Sequence, residues 1–169
     1  MGLEERVAEL ERRLAALEER DGQDEPIRAG GQGDLWALEG FKDRLAEAGA
    51  GAGGVMFTGS VRLPTEERVE WQYGTLTESL WEQDWNRAAD SFAALGHPVR
   101  LRLLREILGG RRKAAELTEL AGLGTTGQIY HHLRQLTAAG WLHTAGRGRY
   151  EVPPVRVVPL LVALTAAQP

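Results

Sequence analysis

Cysteine is absent from the 169-residue chain, so disulfides, thiolate nucleophiles and thiolate metal sites are all excluded. Long apolar runs are missing too, and no stretch approaches the length of a membrane span. The N-terminus is charged from Glu4 onward, unlike a secretory signal, so a cytoplasmic location is expected, with no membrane partner. The four histidines have no nucleophile or carboxylate at recognisable catalytic spacing. The glycine-rich stretches 30–33 and 49–54 match neither a phosphate loop nor a dinucleotide fingerprint. No enzyme is expected, and no cofactor or metal.

The overall charge of −4 speaks against a general nucleic-acid binder, but its distribution is uneven. Residues 1–96 carry 10 Lys+Arg against 20 Asp+Glu, whereas residues 97–150 carry 9 against 3. A cationic block on one segment is the electrostatic footprint of phosphate binding, although a solvated charged face would have the same composition.

Patterning predicts a mainly α fold with a small β component. Leu3, Val7, Leu10, Leu14 and Leu17 alternate in steps of four and three, with arginines at g and glutamates at e. This predicts a short parallel coiled coil over residues 1–20 and places these five side chains at a homodimer interface. At about 1.5 Å per residue so short a coil is marginal alone, and it would reinforce a dimer made elsewhere. Residues 21–33 (DGQDEPIRAGGQG) have the composition of a linker. Residues 34–74 read as an accessory unit: a helix capped by Asp34, with Leu35, Leu38, Phe41 and Leu45 on one face, then a hairpin. Val55, Phe57, Val61 and Leu63 would pair with Val69, Trp71 and Tyr73 on its apolar face. Its aromatics would serve as core or as a patch for a small-molecule effector or a protein partner.

Residues 75–169 hold the densest pattern. Thr75 and Glu78 have capping-box spacing and would open a helix whose stripe is Trp81, Trp85, Ala88, Phe92 and Leu95. Trp81 and Trp85 need a partner surface. So does the apolar tail with Leu160, Leu161 and Leu164, and burying these side chains between two copies would make the dimer. Gly96-His97-Pro98 starts a new helix with Leu101, Leu104 and Leu108 inward. A short helix with Ala115, Leu117 and Leu120 inward follows, and Thr125 with Gln128 caps a third. Strands 141–144 and 150–152 then flank the turn Ala145–Arg149. Helix, helix, turn, helix and basic hairpin are the layout of a winged helix-turn-helix domain, which lays one helix in the major groove of DNA.

A wheel over residues 126–138 turns Ile129, Leu133 and Leu136 inward and leaves Gly127, Gln128, His131, Arg134 and Gln135 outward, with Tyr130 and His132 on the flanks. Thr125 and Thr126 can offer hydroxyls and backbone N–H groups to a phosphate at the positive helix end. Gln128 suits adenine, Gly127 lets the backbone approach, and Arg134 suits phosphate. Arg147 and Arg149, flanked by glycines at the hairpin tip, are assigned to phosphate or minor groove over residues 143–151, the alternative being a merely soluble turn. Tyr130 completes the predicted DNA-binding set.

The stretches ALGHPVRLRLLREIL, ELTELAGL, TTGQIYHHLRQLTAAGWL and GRGRYEV resemble the ArsR-type winged helix-turn-helix repressors of bacteria over about residues 84–167. The resemblance implies a homodimer on a palindromic operator, read by residues 126–138. Metal-sensing members use cysteines or His/Asp/Glu clusters that this chain lacks, so the resemblance does not extend to metal sensing. The competing expectation is a protein-interaction or small-molecule-sensing module built on the N-terminal coil and hairpin, with the winged helix as scaffold.

Overall fold

The computed structural model describes residues 35–168, about half of them helical. The heptad leucines Leu3 to Leu17, the linker and Asp34 lie outside the described residues. Helix α1 spans Trp36–Glu47 and none of its side chains is buried. Lys42 pairs with Glu39 one turn earlier at 3.1 Å, and the chain divides between Arg44 and Leu45, inside this helix.

Strands β1 (Gly54–Arg62) and β2 (Arg68–Leu76) form an antiparallel hairpin. Phe57 pairs with Tyr73, Gly59 with Trp71 and Val61 with Val69, a register that puts the alternating apolar side chains on one face. Its apolar face is covered most fully toward the turn. Leu63, Val61 and Val69 join the main core, while Val55 and Tyr73 stay exposed. The hairpin therefore shares a core with the C-terminal segment.

The helix expected from Thr75 forms differently. Thr75 pairs with Val55 as the penultimate residue of β2, so its hydroxyl caps nothing. Helix α2 (Thr77–Glu82) begins after the strand, and the chain breaks before α3 (Asn86–Leu95). Asp84 causes the restart, its carboxylate accepting from the Asn86 N–H at 3.0 Å and the Asn86 side chain at 2.9 Å. Trp85 folds back, donating from Nε1 to the Leu80 carbonyl at 2.8 Å and stacking on Trp81 with ring centroids 5.1 Å apart. The predicted stripe thus becomes two short pieces, on which Trp81, Trp85 and Phe92 are 69%, 61% and 67% exposed.

Helix α4 (Pro98–Leu108) starts where predicted, with Pro98 in its first turn and the His97 imidazole accepting from the Val99 N–H at 3.2 Å. Leu103, Leu104 and Ile107 are its buried residues, with Leu101 and Leu108 half-buried. Helix α5 (Ala114–Thr118) buries Ala114 and Leu117, three residues apart on one side; Ala115, expected inward, lies off that side and is exposed. Helix α6 (Thr126–Ala138), the short strands β3 (His143–Thr144) and β4 (Tyr150–Glu151), and helix α7 (Pro154–Ala166) complete the chain. Leu160 corrects the predicted dimer surface: it is 1% exposed and packs in the protomer's own core, while Leu161 is half-buried and Leu164 is 37% exposed. No helix among the described residues is long and apolar enough to cross a membrane.

Helix α7 meets the first hairpin through Val158, whose methyl lies 2.7 Å from where a Cβ on Gly59 would be built. Val158 is buried and cannot swing aside. Gly59→Ala is expected to cost about 1–3 kcal/mol, read as a fall in the urea midpoint at unchanged slope. An unchanged midpoint would mean that this approach is looser than the structure has it.

Candidate nucleic-acid interface

Helix α6 is locked in phase by Ile129, Leu133 and Leu136, all fully buried. Its first turn is closed by the predicted capping box. Thr125 Oγ1 accepts from the Gln128 N–H at 3.4 Å, and the Gln128 side-chain carbonyl accepts from the Thr125 N–H at 2.8 Å. Gly124 precedes it at φ 99°, where any Cβ would collide with that same carbonyl, so both the turn and the cap require glycine. The cap commits the Gln128 oxygen, leaving its amide NH2 to donate outward.

The predicted outward set is brought together on one helix. Thr125, Thr126, Gly127, Gln128, Tyr130, His131, Arg134 and Gln135 are all exposed. Gln135 is less available than expected, because its oxygen accepts from the Arg100 guanidinium at 2.6 Å. Arg100 also donates to the Ala93 carbonyl at 2.7 Å, tying the end of α3 to α6. His132 turns back toward His97, with ring centroids 4.6 Å apart, and its buried Nδ1 has no hydrogen-bond partner. Among the described residues no His, Asp and Glu side chains converge in a group that could hold a metal ion.

The second hairpin pairs His143 with Glu151 and Thr144 with Tyr150. A third segment joins it: the Tyr150 N–H donates to the Arg112 carbonyl and the Ala114 N–H to the Gly148 carbonyl, both at 2.8 Å. The residues leading into α5 are thus fastened to the hairpin, a link with no sequence periodicity to announce it. At the tip, Arg147 is exposed and makes no ion pair among the described residues. Arg149 differs, since its Nε donates to Glu151 at 3.1 Å, so the two arginines are not equivalent.

Two of the three acids in the cationic block are paired within it. Glu106 pairs with Arg111 at 3.3 Å and Glu116 with Lys113 at 3.6 Å. Arg134 and Arg147 keep their charge without a carboxylate partner among the described residues. Sequence reasoning passed over Lys113, exposed and paired through its backbone with Arg149 of the hairpin; the Arg111-Arg112-Lys113 run was the signal for it.

Two outcomes test this geometry. A Cβ on Gly127 would meet nothing within 4 Å, so Gly127→Ala is expected to stabilise the fold by about 0.5–1 kcal/mol in urea unfolding; a loss would show that the site is crowded. His132 is held below the ordinary imidazole value of 6.5, first by burial and then by His97, Arg100 and His131 around it. The unfolded chain then binds the proton more readily than the folded one. Stability is full above about pH 6.5 and falls as the pH drops through the unfolded value toward the folded one. The urea midpoint is expected to fall from pH 7.5 to pH 5.5, and to fall less in His132→Gln; equal slopes would remove His132 as the cause.

Searched against models of known protein families and against curated proteins, the chain matches none.

Proposed function

We propose that this chain is a DNA-binding transcriptional repressor of the winged helix-turn-helix type, resembling the ArsR-type regulators, that occupies an inverted-repeat operator as a cytoplasmic homodimer. In this reading α6 enters the major groove and the hairpin tip rests on the backbone or in the minor groove. The observation that carries it is the outward face of α6. From Thr126 to Arg134 it is exposed and free of carboxylates, while the opposite face is fixed in the core. Thr126 and Gly127 offer backbone N–H groups at the positive helix end, Gln128 and His131 offer donors to base edges, and Arg134 and Arg147 supply charge for phosphates. The exposed Trp81, Trp85 and Phe92 supply apolar surface for a second copy.

The same aromatics favour a second reading, an interaction module that binds another protein and uses the rest as scaffold. Co-purification of a stoichiometric partner, with no retardation of duplex DNA at low salt, would select it.

Selection from a random duplex pool is expected to enrich an inverted repeat with half-sites about 10 bp apart. By fluorescence anisotropy, Arg134→Ala and Arg147→Ala should each lower the slope of log affinity against log salt by about 1.8, one phosphate contact being lost from each protomer of the dimer. Arg149→Ala should lower it less, because Glu151 already holds that side chain. Gly127→Ala should weaken DNA binding while the fold gains stability. A pool that shows no enrichment would overturn the proposal, and an unchanged slope in Arg147→Ala would remove the hairpin from it.

A further inference from the structure

Away from α6, the turn end of the first hairpin, α4 and α7 enclose an open groove of about 600 Å3, inside the range of about 300–1,000 Å3 common to small-ligand sites. Its floor is aliphatic, with Leu101, Leu104 and Leu108 from α4 facing Leu161 and Leu164 from α7. Its charged lining is of one sign: Arg62, Arg102 and Arg105, with no Asp or Glu. Arg62 is already paired with Glu66 across the hairpin turn at 3.3 Å. Arg102 and Arg105 make no ion pair among the described residues, and at i, i+3 on α4 they lie on the same side of the helix.

An aliphatic trough beside two cations without a counter-charge sets the chemistry of what fits. A neutral apolar molecule would leave both guanidiniums unpaired, and a cationic one would be repelled. An apolar body with an anionic head satisfies both parts, the head accepting from the planar N–H forks of Arg102 and Arg105 while the chain covers the leucines. We propose that this groove binds an anionic amphiphile of the fatty carboxylate class. The site is separate from the DNA-reading face, so it stands or falls without that reading.

The test is calorimetric titration of the full chain, without DNA, using dodecanoate below its critical micelle concentration and dodecyltrimethylammonium as the probe of matched length and opposite charge. Dodecanoate is expected to bind saturably with the cationic probe silent. Arg102→Gln with Arg105→Gln should weaken binding by about tenfold or more at an unmoved thermal midpoint, and Arg102→Lys with Arg105→Lys should retain most of it. No binding of dodecanoate overturns the proposal. So does equal affinity for the two probes, which would mean adsorption to leucines, or full affinity in the double glutamine variant. Light scattering covers the remaining occupant: a dimer that ignores dodecanoate and dissociates on Leu161→Glu with Leu164→Glu would show the groove covered by a second copy, and would overturn it as well.

Discussion

Helix α4 is buried from two directions, and the placement of the first hairpin, α6 and α7 follows from that constraint. Leu103, Leu104 and Ile107 are almost wholly excluded from water and belong to one cluster with Leu133 and Leu136 of α6, Leu63 of the first hairpin and Leu160 of α7. A single aliphatic core thus serves both the hairpin side and the α6 side. Truncating any one of these leucines to alanine removes about 2–5 kcal/mol, a large share of the stability of a domain this size. The outward face of α6 is fixed by the same cluster, because a helix whose three inward residues are fully buried cannot rotate to present another set. The residues that face solvent are therefore chosen by the leucines that do not.

Polar ties set what the apolar core leaves free. Arg112 is the clearest case: its half-buried guanidinium donates to Glu67 beyond the first hairpin turn at 2.6 Å and to Glu151 on β4 at 3.4 Å. The hydrogen bond from Arg112 holds the Glu67 carboxyl below the usual carboxylate range. Glu67 is half exposed and solvent screens the pair, so its worth to stability is modest. Its worth to geometry is greater, since it joins two hairpins that share no strand. Arg100 does the same for α3 and α6, and the cation of Arg156, 5.1 Å from the Trp141 ring centroid, does it for α7 and the entry to the second hairpin.

What could be read from the sequence divides along this line between periodic and non-periodic interactions. The inward triad of α6, its capping box, the proline start of α4 and the hairpin alternation all repeat at 3.6 or 2 residues or sit at fixed offsets, and each was legible. The break between α2 and α3 was not. Trp81, Trp85 and Phe92 continue a helical stripe, and the local competitor, Asp84 capping Asn86, covers only two residues. Thr75 was misread for a related reason, since its spacing to Glu78 suits a cap but its pairing with Val55 depends on a strand twenty residues earlier. The commitments of Gln135 to Arg100 and of Arg149 to Glu151 alter the candidate site, and neither leaves a trace in spacing. Leu160 was placed on a surface because an apolar tail shows that a partner is needed without showing whether that partner is the protomer's own core or a second copy.

The exposed aromatics bear on the proposed function through geometry. An inverted repeat is read by two helices about one DNA turn, 34–36 Å, apart, so the contact between copies determines whether the two α6 helices can engage together. Core residues cannot make that contact, which moves the burden from Leu160 to side chains that reach solvent: Trp81 and Trp85, stacked on each other, with Phe92. Rigid aromatics cover large area at low conformational cost, and a stacked pair already ordered in the protomer loses less on association than two free side chains. In the proposed reading the surface that spaces the reading helices is then as much a part of the DNA site as Arg134, although it touches no DNA.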